Sequence, residues 1–206
     1  MASALAAAAH LLWVVPRLPF PSLGPGEAPP DYRAVARLPD AALLAIIVGV
    51  CALSLWHLPT QQLPLWLGYL GAGGALVWVD LKTTWLPKRL HWITTVQVAV
   101  GVAAMGWLAP AAATGALLGS LVMAGALWLV WRLSRTFGFG DVRLGLLTGA
   151  AAGSLGVQGF TAALVAGTAI GAVWAVIHAA RGGMATPFPY GPSLWLGPLV
   201  AALWVS

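Results

Sequence analysis

Two acids in this chain stand where chemistry could be done. The 206 residues hold only five acids: Glu27, Asp31, Asp40, Asp80 and Asp141. Three fall in one polar segment, residues 17–40. The other two lie at the ends of long apolar runs, each inside a compact motif. Asp80 sits in VDLKTTWLPKRL (Val79–Leu90) and Asp141 in FGFGDVRL (Phe137–Leu144). A carboxylate at a membrane boundary is costly, so it is a functional-site hypothesis by default. Two such acids with no competing set point to a paired-carboxylate site. One ionised acid would activate water while a protonated partner polarises a carbonyl. Like charges held close cannot both ionise easily, so such a pair titrates as a unit.

Each acid also has a plainer reading. Gly138 and Gly140 let backbone lie close to the Asp141 carboxylate, but Asp141 could equally cap a helix beginning at Val142. Asp80 could simply pair with Lys82 or Arg89. Other chemistries find less support. The single Cys51 lies in an apolar run and cannot build a zinc site within one chain. His10, His57, His91 and His178 fall in different runs without metal-ligand spacing. His91 follows the Asp80 motif and could touch the site, though a headgroup contact is the stronger reading. No cofactor and no metal are expected.

The elements that must position these acids are helices in a membrane. Apolar residues make up 60% of the chain and charged residues 7%, against about 25% charged in soluble domains. Eight apolar runs are legible: 1–16, 41–59, 64–79, 91–109, 112–131, 142–156, 158–180 and 190–205. The expectation is an all-α, polytopic transmembrane bundle of about eight spans (six to eight), forming a single domain over residues 1–206. Tryptophans near the run ends (Trp13, Trp56, Trp85, Trp107, Trp131, Trp204) suit an interfacial belt. Two runs are weak: 1–16 is short and contains His10 and Pro16, and 142–156 is short and Gly-rich. Run 1–16 lacks the basic start of a signal peptide. Segment 17–40, rich in Pro and Gly, reads as a short irregular loop.

The net charge of +5 is a topology signal rather than a nucleic-acid one. With 17–40 inside, alternate connections carry Arg17, Arg33 and Arg37; Lys82, Lys88 and Arg89; Arg132, Arg135 and Arg143; and Arg181. The intervening connections carry no Lys or Arg, as the positive-inside rule requires. Asp80 and Asp141 then share the cytoplasmic side. Lys82, Lys88, Arg89 and Arg143 read as topology and headgroup residues.

Three segments together carry a resemblance. FGFGDVRL resembles the GxGD motif of intramembrane aspartyl proteases. DLKTTWLPKRL resembles the first-aspartate motif of prepilin peptidases (type IV leader peptidases), in which an acid is followed by polar or basic residues and an Ile/Leu-Pro pair. FPYGPSLWLGP (Phe188–Pro198) is similar to that family's closing Pro-Phe-Gly-Pro segment. The resemblance spans residues 79–198. It implies that Asp80 and Asp141 are the catalytic pair and that Gly138, Gly140 and Pro87 shape the site. It implies a substrate: a prepilin or pseudopilin of a pilus or secretion system, whose short basic leader precedes an apolar helix. The cut would fall at the cytoplasmic face of a bacterial inner membrane, among lipids and without nucleic acid. Presenilin-like enzymes share the GxGD, but their first aspartate usually follows Tyr, where this chain has Val79, and their Pro-Ala-Leu signature is absent. Lys88 stands where the family often has Asn, and Arg143 where Lys is frequent. Larger members carry a zinc-binding cytoplasmic domain and N-methylate the new terminus. Segment 17–40 is too short and has no cysteine, so methyl transfer is not expected. The rival reading is a small transporter or secretion assembly factor with ion-coupling acids. Transporters tend to hold such acids near the midplane, whereas these fall at an edge.

Overall fold

The structure, a computed structural model, describes residues 1–21, 29–134, 138–183 and 188–204. Glu27, Arg135 and Phe137 lie outside the described residues. The described residues form helices joined by short turns, with no strand among them. Lipid offers backbone groups no partner, so apolar segments satisfy their own as helices. The helices are α1 (Ala2–Ala9), α2 (Tyr32–Val35), α3 (Leu38–Cys51), α4 (Leu63–Thr83), α5 (Lys88–Leu108), α6 (Pro110–Ser134), α7 (Phe139–Ser154), α8 (Gly156–Ala180) and α9 (Gly191–Ala202). Each of the eight apolar runs holds one helix. Four stretches are long and apolar enough to cross a membrane: Leu38–Leu55, Lys88–Leu108, Pro110–Ser134 and Gly156–Ala180. This is the build of a membrane protein.

The weak first run is helical but irregular. After α1 the helix widens into a π turn (His10–Val14) and then tightens into a 3-10 turn (Val15–Arg17). Pro16 explains the change: it has no N–H and its ring crowds the carbonyl one turn back. His10 earns its place by bonding the Ala6 carbonyl through Nδ1 (2.6 Å) and the Gln97 side chain of α5 through Nε2 (2.9 Å). Where segment 17–40 is described, at 17–21 and 29–40, it holds helix as well as the loop expected. Asp31 caps α2, accepting from the backbone N–H of Arg33 and Ala34 at 3.0 Å each. Leu18, Tyr32 and Val35 are buried against the bundle.

α4 is the central rod, buried almost continuously from Leu65 to Asp80. It faces protein rather than lipid, so it carries Gly, Trp and Tyr where a lipid-facing span carries Leu. The outer helices do the reverse: Leu117, Leu118, Leu121 and Val122 of α6 are exposed.

Two small-residue seams draw the rods together. Gly115 and Gly119 of α6 meet Gly149 and Gly153 of α7, where an added Cβ would strike backbone atoms of the facing helix. Gly159, Ala163, Gly167 and Gly171 recur every four residues on α8, and Ala163, Gly167 and Gly171 lie against α9. Such small-xxx-small stripes let membrane helices approach closely where no hydrophobic force drives association.

Candidate active site

α9 is the strut on which the site is built. Tyr69, Gly73, Leu76 and Asp80 recur at helical spacing and share one face of α4. The Tyr69 hydroxyl donates to the Trp195 carbonyl (2.8 Å), and Trp195 Nε1 donates back to the Tyr69 carbonyl (3.2 Å). The two rings stack with centroids 6.1 Å apart. A Cβ on Gly73 would stand 3.4 Å from Trp195 Nε1, so the glycine admits the indole. Clamped this way, α9 presents its first residue to Asp80.

At that point the Gly191 N–H donates to Asp80 Oδ2 (3.0 Å). Asp80 is buried, and its carboxylate has one oxygen held by a backbone donor. A Cβ on Gly191 would lie 2.5 Å from that oxygen and 3.3 Å from Leu144 Cδ2 of α7. Glycine lets the start of α9 sit between the two acid-bearing helices without pushing the Asp80 carboxylate aside. α4 then ends abruptly. Thr84 takes a left-handed conformation (φ 56°) and its N–H bonds the Asp80 carbonyl at 2.7 Å. A β-branched residue is rarely found there, so the chain turns away at some cost immediately after the acid.

Asp141 is placed differently from its plainer reading. The helix does not begin at Val142. Gly138 is the N-cap of α7, and Asp141 is the third helical residue, its N–H bonded to the Gly138 carbonyl (3.1 Å). Its carboxylate folds back over the start of α7: a Cβ on Gly138 would stand 3.4 Å from Asp141 Oδ2. A carboxylate in the first turn also meets the positive end of the helix dipole.

The structure brings the sequence motifs together. Gly191, bonded to Asp80, also lies against Leu144 of the Asp141 motif. A Cβ on Gly140 would stand 3.0 Å from Leu86, so the turn after α4 rests on the glycine beside Asp141. Pro87, buried, is the N-cap of α5, and its carbonyl accepts the His91 N–H (2.9 Å). Asp80, Asp141, Pro87, Gly138 and Gly140 thus belong to one neighbourhood.

The plainer reading of Asp80 is not what is found. Lys82 pairs with Asp40 at the start of α3 (3.0 Å) and lies over the Trp78 ring. Arg89 is exposed, and Arg143 lies over Phe139 of its own helix. His91 is also corrected. It is no headgroup contact but 3% exposed, with Nδ1 unpartnered and the Arg143 charge nearby. Among the described residues no three of His, Cys, Asp and Glu converge to hold a metal.

An apolar cleft of about 420 Å³ opens between α5, α6 and α7, lined in part by Val98, Ala116, Leu147 and Ala150. It lies away from the two acids, with no lining residue from α4. At about 100° per residue, Leu146, Leu147 and Ala150 lie roughly 140–240° around α7 from Asp141.

Sequence reasoning singled out the Phe188–Pro198 segment but took no site residue from it. The Gly191 N–H is what it missed. A backbone donor leaves no mark in residue type. The legible signal was a Gly-Pro pair opening a helix in the third motif. No protein family, curated protein or solved structure matches this chain.

Proposed function

We propose that this protein is a membrane aspartyl endopeptidase that removes the short basic leader of prepilin-like proteins at the cytoplasmic face of a bacterial inner membrane. The observation that carries the reading is the meeting of three distant segments on two acids. Gly191 of the third segment bonds Asp80 and lies against Leu144, three residues after Asp141, while Gly140, beside Asp141, lies against Leu86 of the Asp80 motif. A pair with purely structural roles would have its charges answered by cations. Lys82, the basic side chain nearest Asp80 in sequence, is instead committed to Asp40.

The mechanism follows from two carboxylates sharing one proton. The ionised member takes a proton from water as the water oxygen attacks the scissile carbonyl. The protonated member donates to the carbonyl oxygen. The tetrahedral intermediate collapses as a proton passes to the leaving nitrogen, and no covalent enzyme intermediate forms. The Gly191 N–H fixes one Asp80 oxygen and leaves the other free for water or for Asp141. The helix N-terminus at Asp141 holds the second carboxylate, and among the described residues no ion pair to it is found. The basic leader of the substrate would lie on the cytoplasmic side, and its apolar helix would enter among the spans.

Purified protein in lipid vesicles should cut a purified prepilin once, at the leader–helix junction, as mapped by mass spectrometry. Absence of any cut across several prepilins, with the protein folded, would favour a transporter or assembly factor instead.

A further inference from the structure

The apolar cleft between α5, α6 and α7 has no part in the two-acid mechanism. It holds about 420 Å³ and is lined on α5 from Thr95 to Gly106. That is about 16 Å along the helix, close to the depth of one leaflet of a bilayer's hydrocarbon core. Its wall is largely small and apolar, as at Ala99, Ala103, Ala116 and Ala150. Its two hydroxyls are spent on backbone: Thr95 Oγ1 donates to the His91 carbonyl (2.9 Å) and Ser120 Oγ to the Leu146 carbonyl (2.7 Å). A helix about 10 Å across would need about three times that volume over the same length. A hydrocarbon chain suits the cleft and a helix does not.

One end of the cleft is basic. Two contacts gather the three helices there. A Cβ on Gly140 of α7 would stand 3.0 Å from Leu86, two residues before α5. Trp131, near the end of α6, meets Phe139 of α7 edge-on, with ring centroids 5.1 Å apart. Helical spacing then decides which side chains continue the cleft's walls. At about 100° per residue, Lys88 lies within about 20° of Thr95 around α5, and Arg143 within about 20° of Ala150 around α7. Arg89 is turned about 120° from Thr95. Arg143 lies over the Phe139 ring at 5.1 Å. Trp92, 58% exposed, continues the line of Ala99. Lys88 is exposed, and among the described residues no ion pair to Lys88 or Arg143 is found. We propose that the cleft seats one anionic phospholipid, its acyl chain in the apolar groove and its phosphate between Lys88 and Arg143. Trp92 then stands between chain and headgroup, the depth that indoles favour. A segment carrying a basic leader would meet like charge there. The site needs neither acid and no cleavage.

The full-length protein is reconstituted in phosphatidylcholine vesicles with a trace of phosphatidylglycerol that carries a photoreactive diazirine on one acyl chain. Adducts are mapped by mass spectrometry after illumination. They should concentrate on the cleft residues of α5, α6 and α7, and unlabelled phosphatidylglycerol should compete where further phosphatidylcholine does not. Lys88→Gln and Arg143→Gln should each lower cleft labelling about fivefold, the worth of one basic residue facing an anionic headgroup. Arg89→Gln should leave it unchanged. Lys88 is exposed, so its replacement spares the fold and keeps the readout clear. Ala99→Leu, which fills the groove from a partly lipid-facing position, should lower labelling with both cations in place. Equal labelling of the exposed faces of α6 and α8 would mean ordinary surrounding lipid and overturn the proposal. So would equal competition by phosphatidylcholine, or cleft labelling unchanged in Lys88→Gln or in Ala99→Leu. Displacement of the probe by a purified prepilin would give the cleft to the substrate helix instead.

Discussion

At the scale of single residues the account rests on close approach. Gly191 is the sharpest case. An added methyl would meet Asp80 Oδ2 at 2.5 Å and its carboxyl carbon at 3.2 Å. The carboxylate is the end of a short, mobile side chain, so the fold should survive while the acid is displaced. Gly191→Ala is expected to reduce cleavage about 100-fold, the usual cost of a misplacement near 1 Å, with normal membrane levels and thermal stability. Lys82→Ala should behave oppositely. Its partner is Asp40, the pair is partly exposed, and the loss should be at most about 1 kcal/mol of stability, read by thermal unfolding in detergent, with cleavage retained. If Lys82→Ala abolished cleavage at normal stability, the separation of Lys82 from the catalytic pair would be wrong. The acids themselves were legible because isolated carboxylates are rare and costly in an apolar chain. Gly191 was not, because its contribution is a backbone N–H that every residue but proline carries. His91 was misread for a related reason: periodicity marks a residue near a run end but does not tell which face turns inward.

At the scale of elements the account is one of seams and ends. The α6–α7 seam is built from paired glycines whose added Cβ atoms would meet backbone, which cannot swing aside. Gly149→Leu should therefore destabilise by more than the about 1–3 kcal/mol typical of an overpacked core, seen as a lower unfolding midpoint and lower membrane yield. Gly125→Ala, on the facing helix α6 with nothing within 4 Å, should leave both unchanged. At the end of α4, Thr84 in the left-handed region should be improved by Thr84→Gly, by about 1 kcal/mol, unless the residue has a second role in the site. All eight helical runs were legible because every lipid-embedded segment must satisfy its own backbone. The seams were not read in advance. The abundance of glycine was visible, but which glycines face one another depends on how the rods are rotated. The start of α7 was missed by a few residues for a similar reason: the cap is Gly138, and the acid that looks like a cap lies one turn inside.

At the scale of the whole molecule the chain is a bundle around one buried rod. Outer helices with exposed leucines surround α4, and the ends that carry Asp80, Asp141 and Gly191 gather at one place. The proposed reading puts that end in the cytoplasm, on the strength of the charge pattern. In a Cys51→Ser background, a membrane-impermeant thiol reagent added from outside should label a cysteine in place of the exposed His57 and spare one in place of the exposed Lys88. The reverse labelling would invert the orientation and the proposed side of cleavage. The central claim is that two carboxylates act as one catalytic unit, and the most direct measurement is cleavage of a prepilin by Asp80→Asn and Asp141→Asn separately. An isosteric amide keeps shape and removes the titrating group. The account predicts that each variant folds, reaches the membrane at normal levels and cuts nothing. Cleavage persisting in either one would contradict it.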